Sequence, residues 1–265
     1  MSPNLNMRRN LLAGVMVLSL AASLFAAENG PSGQWEADIQ AFEAADKASP
    51  PPEGAVLFIG ASGIRLWKTL PQDFPEHQVV NRGFGGSQIA DSVQYADRIV
   101  IPYKPRLIVF YAGGNDINAG KLPEGVFEDF KVFVAKVRAK LPAVRIAFMA
   151  SGPSVARWAQ ADKQRKLNQL VKEYVGQGDN LDYIDAYDAF LGADGRPRPE
   201  LYVADKLHNN AAGYKIRAEL VRPHLEKFKT SSKPGNPVFP GWYADPEGAV
   251  FGARYWIFPT YSAPF

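Results

Sequence analysis

Apolar and polar positions follow two rhythms along this chain. Short apolar runs at Ala55 to Ile59, Gln78 to Asn81, Arg106 to Ala112, Arg145 to Ala150 and Leu181 to Ile184 read as buried strands. Between them the spacing changes. Phe127, Phe130, Val134, Val137 and Leu141 recur at intervals of three or four, as do Leu167, Leu170, Val171 and Tyr174 before Gly176 and Gly178 stop the pattern. A last helix is predicted from about Ala211 to Phe228. Strands alternating with helices mean a parallel sheet covered on both faces. The fold class is therefore α/β, a flavodoxin-like three-layer α/β/α sandwich with a five-stranded parallel sheet. In such sheets ligands bind beyond the carboxyl ends of the strands.

The two ends of the chain break these rhythms. Arg8 and Arg9 precede an apolar run from Leu11 to Phe25, and Ala26-Ala27 then meet Glu28. That order of charged, apolar and small residues predicts a signal peptide over 1–27 and an exported protein, periplasmic or extracellular. The paired arginines leave a twin-arginine route open. The run is short for a bilayer span, so no stable membrane association is expected once the signal is cleaved. A polar lead containing Ser49-Pro50-Pro51-Pro52 follows. Near the other end, Ser231-Ser232-Lys233-Pro234-Gly235 reads as a linker, and Ala249 to Phe251 with Tyr255 to Phe258 form a hairpin pattern around Gly252-Ala253.

Composition narrows the chemistry. With 265 residues and 46% hydrophobic, the chain can bury one good core. Thirty Lys+Arg against 27 Asp+Glu give a net charge of +3, no electrostatic case for nucleic acid. The absence of cysteine excludes disulfides, thiol catalysis, zinc–thiolate sites and lipid attachment at an N-terminal cysteine. Small polar clusters then fall at strand ends: Gly60-Ala61-Ser62-Gly63, Asn81 to Ser87, and Gly113-Gly114-Asn115-Asp116. Asp205-Lys206-Leu207-His208 comes late in the chain. Acyl transfer needs a nucleophile, a base, a group that orients the base and donors for the oxyanion. Ser62 can be the nucleophile, Asp205 and His208 can share one loop as orienting acid and base, and Ser62, Gly86 and Asn115 can supply oxyanion donors. His77, in a Pro-flanked stretch, and His224, after Pro223, are expected at the surface.

These blocks resemble the SGNH (GDSL-like) hydrolases. Phe58 to Trp67 looks like the family's first block, and Asn81 to Gly86, Gly113 to Asp116 and Asp205 to His208 like its later ones, in order. The resemblance covers roughly Ala55 to Phe228. It implies Ser62 as nucleophile, Gly86 and Asn115 as oxyanion donors, and Asp205 and His208 as triad partners; no cofactor or metal is expected. One position departs: the aspartate usual before the serine is Ala61 here. Trp67, Arg157 and Trp158 are candidates for sugar contact. The alternatives are an arylesterase or lysophospholipase-type hydrolase, an inactive carbohydrate-binding relative, or a metal hydrolase using Asp116, Asp205 and His208.

Asn236 to Pro246 resembles the opening of family 43 glycoside hydrolases, five-bladed propellers in which the aspartate matching Asp245 is the general base. Glycoside hydrolysis needs two carboxyl groups, so the tail implies no glycosidase activity of its own. It does imply an esterase joined to a hemicellulase in the natural polypeptide, and hence acetylated plant polysaccharide or oligosaccharide as substrate. The expected organisation is a signal peptide at 1–27, a hydrolase domain at 28–229, and a linker with a truncated propeller-like start at 230–265.

Overall fold

The computed structural model describes residues 33–227 in full and the backbone of two further strands, Tyr243–Phe251 and Arg254–Tyr261. The expected signal peptide and the linker lie outside the described residues. Five strands, β1 (Val56–Gly60), β2 (Val79–Gly83), β3 (Leu107–Tyr111), β4 (Arg145–Met149) and β5 (Leu181–Ile184), form one sheet in the order β2-β1-β3-β4-β5. Every pairing within it is parallel. The order reverses direction at β1, so the crevice beyond the carboxyl ends of β1 and β3 is the expected ligand site.

Both faces of the sheet are buried, which is why its strands read as continuous apolar runs. Leu57, Ile59, Ile108, Phe110, Ile146 and Phe148 point to one side. Against that side pack α4 (Ile89–Ile99), α6 (Pro123–Lys140) and α7 (Ala161–Gln177), with α1 (Glu36–Ala48) adding Ile39. Val56, Phe58, Leu107, Val109, Ala147 and Met149 face the other way, toward the short helices α2 (Ser62–Arg65) and α3 (Leu70–Asp73) and the long α8 (Ala211–Glu226). A short α5 (Gly114–Asn118) follows β3. The aromatic centre is tight: Phe110 lies 4.6 Å from Phe133 and Phe130 lies 4.8 Å from Phe148, ring centroid to centroid. Burying each such side chain contributes about 1.5–3 kcal/mol.

Local signals set the helix ends. Pro123 occupies the first turn of α6, where its missing N–H has no intrahelical use. Gln88 and Asp91 close a capping box at α4, the Gln88 N–H donating to Asp91 Oδ2 at 2.7 Å. Asn210 Oδ1 accepts the N–H groups of Ala212 and Gly213 at the start of α8. The helix signalled by Leu167 to Tyr174 runs through Gly176 and ends at Gly178. The hairpin expected near the end is present: β6 (Tyr243–Phe251) pairs antiparallel with β7 (Arg254–Tyr261), both longer than the sequence pattern indicated. Two helices lacked a clear pattern in the sequence. The polar lead contains α1, which fully buries only Ile39, and the segment after the glycine-rich turn forms α4.

Candidate active site

Four segments meet at the carboxyl ends of the strands. β1 ends at Gly60 (φ 143°), where an added Cβ would fall 1.9 Å from the Tyr111 carbonyl oxygen. Only glycine lets β1 run this close to β3 and then turn. Ala61 follows, donating its N–H to Tyr111 O at 3.1 Å, and Ser62 opens α2. Ala61 sits at the cap position and offers no side-chain acceptor, so the first N–H groups of α2 lack the partner a capping residue would bring.

From the loop before α8, His208 reaches Ser62. His208 Nε2 lies 2.8 Å from Ser62 Oγ, and His208 Nδ1 lies 2.6 Å from Asp205 Oδ2. Asp205 Oδ1 accepts the backbone N–H groups of Leu207 and His208. The bond from the His208 ring, followed by these N–H groups, holds the Asp205 carboxyl down at about 2. An ionised carboxylate only accepts, so Nδ1 must be a protonated nitrogen, and in the neutral ring Nε2 then carries the lone pair facing the serine hydroxyl. Lys206, at φ 57°, makes the turn that lets the acid and the imidazole share one loop.

Asn115, in α5, donates Nδ2 to Ser87 O at 2.9 Å and accepts Arg157 Nη1 on Oδ1 at 3.0 Å. One of its two amide protons is thus engaged and the other is free to act. Gly86 (φ 80°) immediately precedes Ser87, so the Asn115 bond also ties down the turn that carries it. Asp116 does not join this chemistry. Its carboxylate is fully buried under α4, accepts the Ile89 N–H at 3.1 Å, and lies 3.6 Å from Lys121 Nζ. Burial pushes it up to about 6, with Lys121 opposing. The metal alternative needed Asp116, Asp205 and His208 together, and among the described residues no group of three or more His, Cys, Asp or Glu is placed to hold a metal ion.

The cleft above Ser62 is small, about 70 Å³. Ser62, Asn115, Arg157 and His208 line it, together with residues that sequence reasoning did not single out: Tyr111, Ser151, Gln164, Tyr202 and Arg217. Asn168 fixes the floor, accepting the Ser151 N–H at 2.8 Å and donating to Ser151 O at 3.0 Å. Tyr202 donates its hydroxyl to Pro153 O. Burial draws Arg157 below the ordinary guanidinium value. Nothing near Arg217 in the sequence marks it as part of a site; only the docking of α8 brings it there.

Two expectations are corrected. Trp67 cannot touch a sugar: it is 1% exposed, packed among Phe58, Phe74 and Tyr214, with its Nε1 donating to Asp73. His77 is buried beside Arg106, and half-buried His224 holds Asp182 at 2.5 Å, so neither is a free surface group. Trp158 is half-buried, opens a single 3-10 turn and is not among the residues lining the cleft.

The family model of the GDSL-like lipase/acylhydrolases matches residues 53–216. Platelet-activating factor acetylhydrolase IB subunit alpha1 of Bos taurus is 26% identical over 195 residues, 69% of this chain and 78% of its own. A GDSL-like lipase from Bacteroides thetaiotaomicron superposes with a TM-score of 0.60 at 21% identity, over 72% of this chain and 98% of that one. A mutant of an acetyl-xylooligosaccharide esterase from Geobacillus stearmophilus gives 0.53 at 19% identity, over 65% and 94%. Separately, 41 residues are 67% identical to a β-D-galactofuranosidase of Aspergillus niger, 16% of this chain and only 12% of that protein. With the family model spanning more than half of the chain, the protein belongs to the GDSL-like lipase/acylhydrolase family and is a carboxylic ester hydrolase.

Proposed function

We propose that this hydrolase is a serine esterase that removes short acyl groups, acetyl above all, from plant saccharides, using Ser62, His208 and Asp205. The observation that carries the reading is the unbroken chain of hydrogen bonds from Asp205 Oδ2 through the His208 ring to Ser62 Oγ. In this mechanism Ser62 Oγ attacks the ester carbonyl as His208 Nε2 takes its proton. The Asp205 carboxylate stabilises the imidazolium so formed. The N–H groups of Ser62 and Gly86 and the free amide proton of Asn115 receive the oxyanion. His208 then returns the proton to the departing alkoxide, and a water, activated by the same nitrogen, releases the acid from Ser62.

The cleft volume of about 70 Å³ is far below the ~300–1,000 Å³ of pockets that enclose drug-sized ligands, which favours a short acyl group. The saccharide half of the reading draws on the structural likeness to the acetyl-xylooligosaccharide esterase. It also draws on the short segment shared with a galactofuranosidase, in keeping with a glycoside hydrolase-like segment from 230 onward. The hydrolase domain then occupies 28–229, behind an export signal at 1–27.

Acetate release from acetyl-xylan, compared with p-nitrophenyl esters of increasing chain length, tests the whole reading. Saccharide deacetylation together with a steep fall beyond acetyl and propionyl is the expected result. A preference for long acyl chains would put the protein among lysophospholipase-type hydrolases instead.

A further inference from the structure

Two arginines and no acid line the cleft. Arg157 and Arg217 both stand in its wall, and none of the described residues lining it is Asp or Glu. Arg217 is 6% exposed. Its Nη2 donates to the Tyr111 hydroxyl at 2.7 Å, and its guanidinium carbon lies 4.0 Å from the centroid of that ring. Its Nε and Nη1 are buried with no hydrogen-bond partner among the described residues. An added Cβ on Gly63 would come within 3.2 Å of Nη1, so this unpartnered edge lies against the turn that carries the nucleophile.

A guanidinium stays charged at every pH a protein survives. It cannot escape burial by losing a proton, as a lysine can, and an uncompensated buried charge is among the costliest groups a fold can hold. Tyr111 supplies one neutral acceptor and a ring face, and Phe190 and Tyr214 add rings at 5.8 and 5.9 Å, which leaves Nε and Nη1 without an acceptor. The carboxylate nearest in the mechanism, Asp205, is already taken by three donors on its own loop. An anion carried by the substrate is a group that would complete this wall. Guanidinium donors in a planar fork match a carboxylate in both geometry and sign.

Given the esterase reading on which it rests, we propose that the cleft selects esters bearing a carboxylate close to the scissile bond, received by Arg217 with support from Arg157. Two sources share this chemistry. The carboxylate belongs either to the acyl group, as in a hemiester of a dicarboxylic acid, or to the alcohol, as in an O-acetylated uronate sugar. In both cases the anion meets Arg217 only while the ester sits over Ser62. Arg157 joins from the opposite partner set, since its Nη1 is held by Asn115 Oδ1 and Gly114 O.

The test uses two matched pairs of substrates: p-nitrophenyl acetate against p-nitrophenyl hemisuccinate, and an O-acetylated methyl glucoside against the corresponding glucuronoside. In the wild type one anionic member should exceed its neutral counterpart in kcat/KM by about tenfold or more, the size of a charge-assisted hydrogen bond. Which pair shows it identifies the source. In Arg217→Met the ratio should fall to about one. A second measurement needs no variant: free succinate or methyl glucuronide should inhibit the wild type competitively, while succinamide and methyl glucoside should not. Ratios at or below one in the wild type, or a preference that survives Arg217→Met, overturn the proposal and leave the esterase intact. Failure to hydrolyse any of the four, without thermal stabilisation by the free acids, overturns both.

Discussion

Arg82 and Arg217 are buried almost equally, 8% and 6% exposed, on opposite faces of the same sheet. Their surroundings differ in the acceptors they supply, a carboxylate above all. Arg82 uses all three nitrogens inside the protein: Nε to the Tyr103 hydroxyl at 2.8 Å, Nη1 to Asn81 O at 2.9 Å, and Nη2 to Asp46. The rings of Phe42 and Tyr103 close over it at 4.9 and 4.8 Å. Arg217 has the rings of Tyr111, Phe190 and Tyr214 and one hydroxyl, but no acid among its hydrogen-bond partners. The first arrangement fastens α1 to the sheet and is complete in the resting protein. The second is incomplete and faces a cleft. Equal burial thus accompanies opposite assignments, one to architecture and one to recognition, and a charge count around each guanidinium tells them apart.

The division predicts that changes in the cleft act on rate and changes on the flank act on stability. The largest effect belongs to the nucleophile. Ser62→Ala should lower kcat by about 10⁶-fold with an unchanged unfolding midpoint, and a serine-directed phosphonate should label the parent protein at Ser62 alone. Esterase activity that persists in this variant would falsify the serine mechanism.

Next comes Asp205→Asn, expected to lower kcat by about 10⁴-fold by analogy with other catalytic aspartates. The carboxyl of Asp205 is held at about 2, below its unfolded value of 3.8. Its stabilising contribution is therefore fully present above about pH 4 and lost only as pH falls through 2. It does not titrate between pH 5 and 9, so Asp205→Asn should leave the shape of the rate profile over that range unchanged. A limb that tracks Asp205 instead would show that this geometry misassigns the base.

On the flank the expectation reverses. Asp46→Ala strands Arg82 and should destabilise by about 3–5 kcal/mol, read in denaturant, with kcat/KM unchanged. A loss of activity without a loss of stability would erase the contrast between the two arginines.

The smallest effect tests a residue that adjoins both regions. Asp116 follows Asn115 in sequence yet serves α4, and burial raises it from 3.8 to about 6. A carboxyl raised on folding keeps its proton longer in the native state, so stability falls as pH rises from about 4 to about 6. That slope amounts to roughly 3 kcal/mol at most. Asp116→Asn keeps an acceptor for Ile89 and should flatten the slope, leaving the variant no less stable than the parent above pH 6. An undiminished slope would place the titration elsewhere.

How much of this was legible beforehand follows from distance along the chain. The five strands were legible because both faces of the sheet are buried, which turns each into an apolar run. The glycine-rich turns, Asn115, and the Asp205–His208 pair were legible because each lies within a few contiguous residues at a strand or loop end. Arg217 was not, since only the docking of α8 brings it beside Tyr111, 106 residues away. Trp67 was misjudged for a related reason: closeness to Ser62 in sequence says nothing about which way an indole points. His77 and His224 looked solvated from polar neighbours, and their partners Arg106 and Asp182 lie 29 and 42 residues off. The helix α1 escaped notice because its sequence is mostly polar and it fully buries a single side chain.

The bond between Ser62 and His208 spans 146 residues, and that span has a consequence in time. Synthesis proceeds from the N-terminus at about 5–20 residues per second, so the hydroxyl leaves the ribosome on the order of ten seconds before the imidazole that the proposed mechanism pairs with it. During that interval the chain carries an ordinary, unreactive serine. On the proposed mechanism, turnover begins only after the last helix of the sandwich has docked. The appearance of ester hydrolysis in a translation reaction would therefore report, with no added probe, the moment at which a newborn molecule completes its final long-range closure.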